Sequence, residues 1–437
     1  MTNAQPERAI GATVVTPRMA RLFAVLCLGL LLGVTVREWR AVGLRALAGF
    51  RIPVTPTADD RVLTWMRQAN RELRAALQGL ENRLEDEGWL ATRLIPAGQR
   101  FKLKYLRLGN ESVYAGRAGW LHYRPDVDYV KGPGFLRPDR LLRRSRAAGF
   151  DVPVQPDPLP ALTDFAAQLR ARGIELILVP TPVKAELTAA TLGGRATTRV
   201  ANASFADFVR RAEAAGLTVL DPAPLLAGGY LRTDTHWRPE AMDEVARALA
   251  ELVRARGVTG PAMGYERTPR TVTGRGDLVA MLGVGGADRY GAETVTVHEV
   301  VQGSAGWQPD RDAAVLLLGD SFSNIYAQEG LGWGSRAGLA EQLSFHLQQP
   351  VDRLVRNDAG SYATRDLLAR ELARGRDRLA GKRVVIWQFA NRELAQGDWR
   401  NMDLTLRPAQ ESGFLAPEPG RTLDVRGVVA EISSVPV

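Results

Sequence analysis

A chain of 437 residues is longer than a typical domain of about 100–200 residues, so it can hold one large core with additional segments. With 45% hydrophobic and 24% charged residues, it is typical of globular proteins, which excludes a wholly disordered, collagen-like or polytopic membrane chain. A single cysteine, Cys27, excludes an intramolecular disulfide framework and a cysteine-clustered zinc site.

The charge balance is basic, with 57 lysines and arginines against 48 acids and a pI near 10.0. This excess fits attraction to a polyanion, and it equally fits an arginine-rich composition on solvated faces. The densest basic stretch, residues 137–146, has no interleaved aromatic residues. We therefore do not predict a nucleic-acid partner.

The first predicted element is a membrane-directed segment, an uncharged apolar run between Arg21 and Arg37. Its length suits a secretory signal or a short spanning helix, since about 20 residues normally cross the hydrocarbon. The nearest small-x-small cleavage pattern, at residues 46–48, lies far beyond the run, which favours an uncleaved anchor. We predict a tail over 1–21 and an anchor over 22–36, with an orientation that the flanking arginines leave open.

Residues 37–109 are predicted to form a juxtamembrane helical region. Apolar residues recur at spacings of four and three from Val62 to Leu84, between Pro56 and Gly88, which indicates an amphipathic helix. Its apolar face can pack on its own domain, on a partner or on a second copy, and we expect the first. Turn-rich, aromatic sequence then indicates that a new domain begins near residue 110.

The region 110–404 alternates apolar strand-like runs with helical patterns. This predicts an α/β fold with a mostly parallel sheet flanked by helices, in which sites lie at the carboxyl ends of the strands. A glycine-rich segment with one alternating strand, 265–309, is interpreted as an insertion. Residues 405–437 are turn-rich, with a possible strand near 425–432 and a role that the sequence does not indicate. The predicted strands are 174–179, 217–220, 314–318 and 384–389, and the predicted helices lie around 161–172, 204–215, 239–256 and 364–374.

The strongest chemical signal is a serine that follows an apolar strand, in Gly319-Asp320-Ser321. Such a turn presents the serine Oγ at the carboxyl end of the strand, where the backbone amide of Ser321 is an oxyanion-stabilising candidate. A serine that only caps a helix gives the same tripeptide. The motif therefore needs a base elsewhere in the chain.

Among the four histidines, His236 has the surroundings of a base. Asp234 lies two residues before it, and such an acid can fix the imidazole tautomer and stabilise its protonated form. The other histidines are predicted to be structural: they lie in an aromatic turn (His122), on an alternating strand (His298) and on an amphipathic stretch (His346).

The pairing of residues 233–239 (TDTHWRP) with 316–322 (LLLGDSF), in that order, resembles the alginate O-acetyltransferase family of SGNH-hydrolase-like proteins, the group that contains AlgJ and AlgX. Three more segments are similar to that family: 116–123 (GRAGWLHY), 179–186 (VPTPVKAE) and 274–282 (GRGDLVAML). The resemblance covers roughly residues 70–400 and rests on the joint pattern.

The resemblance implies that Ser321 is the nucleophile, His236 the general base and Asp234 its orienting acid. This chain order is permuted relative to ordinary SGNH esterases. His122 stands where the family has phenylalanine, which we interpret as a tolerated change. No further oxyanion donor lies in a diagnostic sequence pattern, although Asn357, Gly360 and Asn391 are available for that role. The weaker substrate-binding candidates are Lys184, Trp237, Tyr362 and Arg365.

By the same resemblance, the chain is expected to acetylate hydroxyls of an exported polysaccharide, alginate-like or other, through an acetyl-serine intermediate. A membrane-bound O-acyltransferase would supply the acetyl group. The chain would be a single-pass protein of the bacterial inner membrane, with tail 1–21 in the cytoplasm and the catalytic domain in the periplasm. Two alternatives stay open: a carbohydrate acetylesterase with the same triad, and a noncatalytic polysaccharide-binding scaffold of a secretion complex. No metal or cofactor is predicted, because the sequence has no HExxH, cysteine pair or P-loop.

Overall fold

The computed structural model of the protein describes most of the chain. The described residues are 16–40, 87–146, 153–193, 199–226, 229–284 and 290–408, with scattered positions between 70 and 83. Most of the predicted stripe from Val62 to Leu84, the small-x-small pattern at 46–48 and the possible strand at 425–432 lie outside these residues.

The first described helix, α1 (Pro17–Glu38), is apolar and has no buried residues. It begins at Thr16, whose side chain accepts a hydrogen bond from the Met19 amide, and a proline occupies its first turn. With a mean hydropathy of 2.2, it is the one helix among the described residues that is long and apolar enough to cross a membrane. The predicted anchor, 22–36, lies entirely within this helix.

The centre of the fold is a five-stranded sheet in the order β4-β3-β10-β8-β9, with every pair of neighbours parallel. The inner strands β3 (Glu175–Thr181), β8 (Val315–Gly319) and β10 (Val384–Ala390) are almost wholly buried, as expected for strands covered on both faces. The edge strands β4 (Thr218–Val219) and β9 (Asp352–Val355) are partly exposed. The predicted α/β fold with a mostly parallel sheet is confirmed.

Each long flanking helix buries one apolar stripe. In α8 (Pro239–Ala255), the proline occupies the first turn and the buried face recurs at helical spacing through Val245, Leu249 and Val253. The four predicted helices are present with small shifts at their ends. In chain order the helices after α1 are α2 (Ile95–Phe101), α3 (Arg124–Lys131), α4 (Pro138–Ser145), α5 (Pro158–Arg170), α6 (Lys184–Leu187), α7 (Phe205–Ala214), α8, α9 (Asp277–Leu282), α10 (Ser321–Asn324), α11 (Leu339–Leu347), α12 (Ala363–Ala373) and α13 (Glu393–Gln396).

The segment interpreted as an insertion, 265–309, forms a separate antiparallel sheet. Its strands are β5 (Tyr265–Gly274), β6 (Glu293–Gln302) and β7 (Ala305–Gly306), in that order. Alternate residues of β6 are buried and belong to the main hydrophobic core. The segment therefore packs on the central domain rather than standing apart from it.

A two-stranded hairpin, β1 (Val113–Ala115) and β2 (Leu121–Tyr123), lies close to the expected start of the new domain. Its buried residues form a second, smaller core with apolar residues of α9. Leu103 joins this core, so the end of the predicted juxtamembrane region is packed on the domain.

Candidate active site

Strand β8 delivers Ser321 to the carboxyl edge of the central sheet. The Asp320 carboxylate accepts a hydrogen bond from the Phe322 amide at 2.9 Å, so Asp320 caps α10 and Ser321 is its first residue. A Cβ at Gly319 would lie 2.3 Å from Ser323 Oγ, so the strand end has no room for another side chain. The Ser321 hydroxyl is consequently not used as a helix cap.

The loop that carries Asp234 and His236 is closed by an antiparallel bridge between Tyr230 and Trp237. Within it, His236 Nδ1 lies 2.6 Å from Asp234 Oδ1. His236 Nε2 lies 2.8 Å from Ser321 Oγ, across 85 positions of sequence. The structure thus brings together the three residues that the sequence pairs as acid, base and nucleophile.

Electrostatics in this loop favour a charged acid and a basic imidazole. Burial opposes ionisation of Asp234, but attraction to His236 and hydrogen bonds from Trp333 Nε1 (2.8 Å) and the Asp277 amide (3.0 Å) hold its pKa below the usual range. Burial likewise opposes protonation of His236, and the neighbouring carboxylates, Asp234 above all, more than offset it and raise its pKa. A proton taken from Ser321 is therefore stabilised on the ring.

A second set of contacts holds the backbone of the loop. Asp277 accepts hydrogen bonds from the amide and hydroxyl of Thr235, at 2.9 and 2.8 Å. Glu293, at the start of β6, accepts from the amide and hydroxyl of Thr233, both at 2.9 Å. A Cβ at Gly276 would lie 2.1 Å from the Thr233 carbonyl group, so only glycine permits this close approach. The antiparallel sheet and α9 thereby fix the position of the loop that carries Asp234 and His236.

Sequence reasoning missed three of these residues: Asp277, Glu293 and Trp333. Asp277 lies in the Gly-Asp-Leu segment that resembles the family, which was the one signal that pointed toward it. Nothing local marks the other two, because Glu293 and Trp333 are 60 and 99 positions from the loop residues that they contact.

A metal ion could in principle be held by three residues of this loop and its neighbour. One ligand atom from each of Asp234, His236 and Asp277 lies within 4.8 Å of the other two. Their ligand atoms are already hydrogen-bonded: His236 Nδ1 faces Asp234, and both oxygens of Asp277 face Thr235. The donor set therefore fits a hydrogen-bonded acid–base loop better than a metal centre.

The oxyanion candidate is the backbone amide of Ser321. It occupies the first position of α10, where a helix offers no intrahelical acceptor to its N–H groups. The side-chain amide of Asn391 donates to Glu186 at 2.9 Å and that of Asn357 to Gln328 at 3.0 Å, so both are engaged elsewhere.

Lys184, predicted as a substrate contact, is only 1% exposed, which corrects that prediction. Its Nζ donates to the backbone carbonyls of Leu121, Arg232 and Asp234 at 2.5, 2.8 and 2.9 Å. Burial lowers the pKa of Lys184 to about 7, against the opposing pull of nearby carboxylates. This lysine therefore joins β2 to the loop that carries Asp234 and His236, and its ammonium is buried.

The remaining weak substrate-binding candidates are two buried side chains and one that is partly exposed. Trp237 is buried and its Nε1 donates to the Phe322 carbonyl at 3.0 Å. Arg365 is buried and donates to the Ser361 carbonyl at 2.7 Å. Both predictions are corrected, because neither side chain reaches the surface. Tyr362 is partly exposed and lines a cavity of about 650 Å³, so it stays a candidate contact.

His122, expected to be a tolerated change, is buried against Thr191, with Nε2 2.7 Å from Thr191 Oγ1. Burial and then the charge of Lys184 lower the pKa of His122 to about 3. The ring is therefore neutral at physiological pH, and it fills an interior position.

Taken together, a parallel sheet flanked by helices and an Asp-His-Ser array at its carboxyl edge define an SGNH-hydrolase-like α/β protein. Residues 113–391 match the family described as SGNH hydrolase-like domain, acetyltransferase AlgX. The chain belongs to this family.

Individual relatives match to different extents. The chain is 32% identical over 123 residues to the probable alginate O-acetylase AlgJ of Pseudomonas aeruginosa, and the aligned region covers 26% of this chain. It spans only 32% of the length of that curated relative. The solved O-acetyltransferase domain of Pseudomonas putida AlgJ superposes with a TM-score of 0.50 at 20% identity, covering 67% of this chain and 94% of that one. Pseudomonas aeruginosa AlgX gives a TM-score of 0.44 at 17% identity, covering 65% of this chain and 64% of that one. The AlgJ domain shares the fold.

Proposed function

We propose that this chain is an O-acetyltransferase that acetylates hydroxyl groups of an exported polysaccharide. The observation that carries the proposal is the hydrogen-bonded line from Asp234 through His236 to Ser321, inside the region that matches an acetyltransferase family. Ser321 is the nucleophile, His236 the general base and Asp234 the acid that orients the ring.

The reaction follows from the positions of these atoms. Ser321 Oγ attacks the carbonyl carbon of an acetyl donor while His236 Nε2 takes its proton, and the Ser321 amide faces the oxyanion that forms. Collapse expels the donor's leaving group, which receives the proton from Nε2, and leaves acetyl-Ser321. A sugar hydroxyl then loses its proton to Nε2 and attacks the acetyl group; the bond from the acetyl carbon to Ser321 Oγ breaks, and Oγ takes the proton back from Nε2.

The acetyl donor belongs to the same proposal. A membrane-bound O-acyltransferase passes acetyl groups to a catalytic domain in the periplasm, and α1 holds that domain at the inner membrane as a single-pass anchor, with tail 1–21 in the cytoplasm. Two contacts support a defined link between the anchor and the juxtamembrane segment: Glu38 accepts a hydrogen bond from the Trp89 amide at 3.0 Å, and the Arg37 guanidinium lies 4.7 Å from the Trp89 ring centroid.

The acetylesterase alternative uses the same three residues with water as acceptor, whereas a noncatalytic scaffold needs none of them. Incubation of the full chain in detergent with an activated acetyl ester and an oligosaccharide separates the three. A transferase places acetyl groups on the oligosaccharide, an esterase releases acetate alone, and a scaffold does neither.

The matched variants are Ser321→Ala and Ser304→Ala, the latter at an exposed serine between β6 and β7. We expect mass spectrometry of the oligosaccharide to show acetylation that Ser321→Ala abolishes and Ser304→Ala leaves intact. Acetylation that persists in Ser321→Ala contradicts the proposal, and acetate release without acetylated sugar assigns the chain to the esterase class.

A further inference from the structure

A helical segment from Trp89 to Leu106 contacts both the end of α1 and the domain. Helix α2 is its middle part, and wider π-helical turns, Leu90–Leu94 and Lys102–Leu106, continue it on both sides. We propose that this segment, the interfacial helix, lies on the membrane surface beside α1, with one apolar face in the lipid and the domain on its opposite face. The proposal rests on the membrane attachment proposed for α1 and not on acetyl transfer.

One face of the interfacial helix packs on the domain. Pro96, Gln99 and Leu103 recur at spacings of three and four, as residues on one helix face do, and all three are buried. Leu103 belongs to the second core, with residues of α9 and of the β1–β2 hairpin. Nη1 of Arg100 donates to the carbonyl of Val284, two residues after α9, at 2.8 Å. These contacts hold the helix on the domain.

The opposite face of the interfacial helix is apolar and uncovered. Leu94, Phe101 and Tyr105 recur at spacings of seven and four, and they are 48–62% exposed. The ring centroids of Phe101 and Tyr105 lie 5.0 Å apart, so the two rings share one face. Ile95 and Leu106 are exposed as well. No other described segment of similar length after α1 exposes so many large apolar side chains, and a patch of this kind marks an interaction surface.

Basic residues border this apolar face without any acid. The sequence from residue 89 to residue 108 contains no aspartate or glutamate, and its basic residues are Arg93, Arg100, Lys102, Lys104 and Arg107. A helix with an apolar, aromatic face and lysine and arginine beside it lies in the plane of a membrane surface, where its cations meet anionic headgroups. A protein partner fits less well, because lysine is depleted in protein interfaces.

Contact with α1 gives the interfacial helix its place at the membrane. Its first residue, Trp89, donates its amide to Glu38, the last residue of α1, and its ring lies under the Arg37 guanidinium. Tryptophan and arginine are both typical of the boundary between lipid and water. Since α1 crosses the bilayer in the proposed function, a helix that begins at its end begins beside lipid.

The position of this helix also brings the candidate active site toward the membrane. Apolar residues of α9 share the second core with Leu103. The first residue of α9, Asp277, donates its amide to Asp234 at 3.0 Å. Helix α9 thus connects the interfacial helix to the loop that carries Asp234 and His236. In the proposed function, this keeps the site near a donor that is delivered at the membrane.

The test measures the depth of a labelled cysteine in the full chain, reconstituted in vesicles of equal parts phosphatidylcholine and phosphatidylglycerol. The emission wavelength of a bimane label reports its polarity, and lipids with a spin label on the acyl chain quench it on contact. In a Cys27→Ser background, Tyr105→Cys probes the apolar face, and Ser304→Cys is the control at an exposed position between β6 and β7. We expect quenching about threefold or more stronger at 105 than at 304, because an interfacial helix buries its apolar face at the lipid boundary. Equal quenching at the two positions overturns the proposal.

Loss of apolar surface should weaken this quenching. Leu94→Ser combined with Phe101→Ser should reduce it about twofold or more at position 105. Leu142→Ser combined with Leu406→Ser, at two exposed leucines elsewhere, should leave it unchanged, and equal effects of the two pairs contradict the assignment of this face.

The lipid composition tests the basic residues without any change to the helix. Vesicles of phosphatidylcholine alone should reduce quenching at position 105 about twofold or more, because they carry no anionic headgroups. Equal quenching in the two lipids overturns the part assigned to the basic residues.

Two more outcomes separate this proposal from its alternatives. A label at 105 that emits as in a dry environment and is not quenched by the lipid lies against protein, which makes this face an interface between copies of the chain and overturns the proposal. Native Cys27, labelled in the otherwise unmodified chain, reports insertion of α1 by itself. Quenching at Cys27 with none at 105 leaves the anchor standing and removes the interfacial helix. Quenching at 105 with none at Cys27 supports the interfacial helix and contradicts the anchor.

Discussion

His236 links the two halves of the site because its two ring nitrogens face different partners. Nδ1 is held by Asp234, which leaves Nε2 directed at Ser321. In the proposed mechanism, Nε2 takes the serine proton only while the ring is neutral, so we expect the raised pKa of His236 to set the lower pH limit of the reaction.

We expect the rate of Ser321 acylation to rise with pH, with a midpoint above the ordinary histidine value of 6.5. In Asp234→Asn the main charge that raises this pKa is gone and burial lowers it, so the midpoint should move to lower pH. The rate should fall by roughly 10³–10⁴-fold, because the tautomer is no longer fixed. Initial rates between about pH 5 and 9 measure both effects.

Asp243→Asn is the matched control, since Asp243 Oδ1 lies 2.7 Å from Nε2 of His346 in a separate acid–histidine pair. It should leave the midpoint unchanged, and a midpoint that Asp234→Asn fails to move contradicts the assignment. The raised pKa of His236 also makes the free energy of unfolding depend on pH. Protonation of His236 stabilises the fold below the unfolded-state pKa, and this contribution is lost as pH rises through the folded-state pKa.

Single residues of the site were predictable from the sequence where a short local pattern marks them. Asp-x-His spacing and a serine after an apolar strand indicated Asp234, His236 and Ser321. Trp333 was not predictable, because its hydrogen bond to Asp234 spans 99 positions and its surrounding sequence has no motif.

Among the elements, α6 connects the site to the β1–β2 hairpin through its first residue, Lys184. Lys184 follows the end of β3 and donates to one carbonyl in β2 and two in the loop that carries Asp234 and His236. Its position at a strand end suggested a ligand contact. A sequence shows that a lysine ends a strand, but it does not show which carbonyls converge on that lysine.

Lys184→Met should lower the free energy of unfolding by about 2–4 kcal/mol, because it leaves buried carbonyls without donors. It should also slow acylation of Ser321, since the loop loses an attachment. Urea unfolding and acylation rates measure the two effects. Lys131→Met, at an exposed lysine, should change stability by no more than about 0.5 kcal/mol. A Lys184→Met protein as stable as the unmodified chain contradicts the structural role.

The sheet itself was largely predictable, because β8 and β10 are mostly apolar runs, interrupted in β10 by Gln388, as expected for strands covered on both faces. The antiparallel strands β5 and β6 were interpreted as an insertion from their glycines and alternation. Their packing on the main core was not predictable, since it depends on contacts with distant helices such as the hydrogen bond from Gln342 to the His298 carbonyl.

Across the whole molecule, the fold makes one site from distant parts of the chain. Ser321 follows a strand of the central sheet, the loop before α8 carries Asp234 and His236, and the antiparallel sheet holds that loop in place through Glu293. The apolar helix α1 buries none of its residues, and its end contacts Trp89, in the segment that precedes the domain. The proposed function thus places catalysis and membrane attachment in separate parts of one chain.

The most direct measurement is mass spectrometry of the full chain after exposure to an activated acetyl ester. We predict one acetyl group on Ser321, absent in Ser321→Ala and formed at least about 10³-fold more slowly in His236→Ala. Ser304→Ala should acquire the acetyl group at the unmodified rate. An acetyl adduct that forms equally fast in Ser321→Ala and His236→Ala contradicts the assignment of these residues as nucleophile and base.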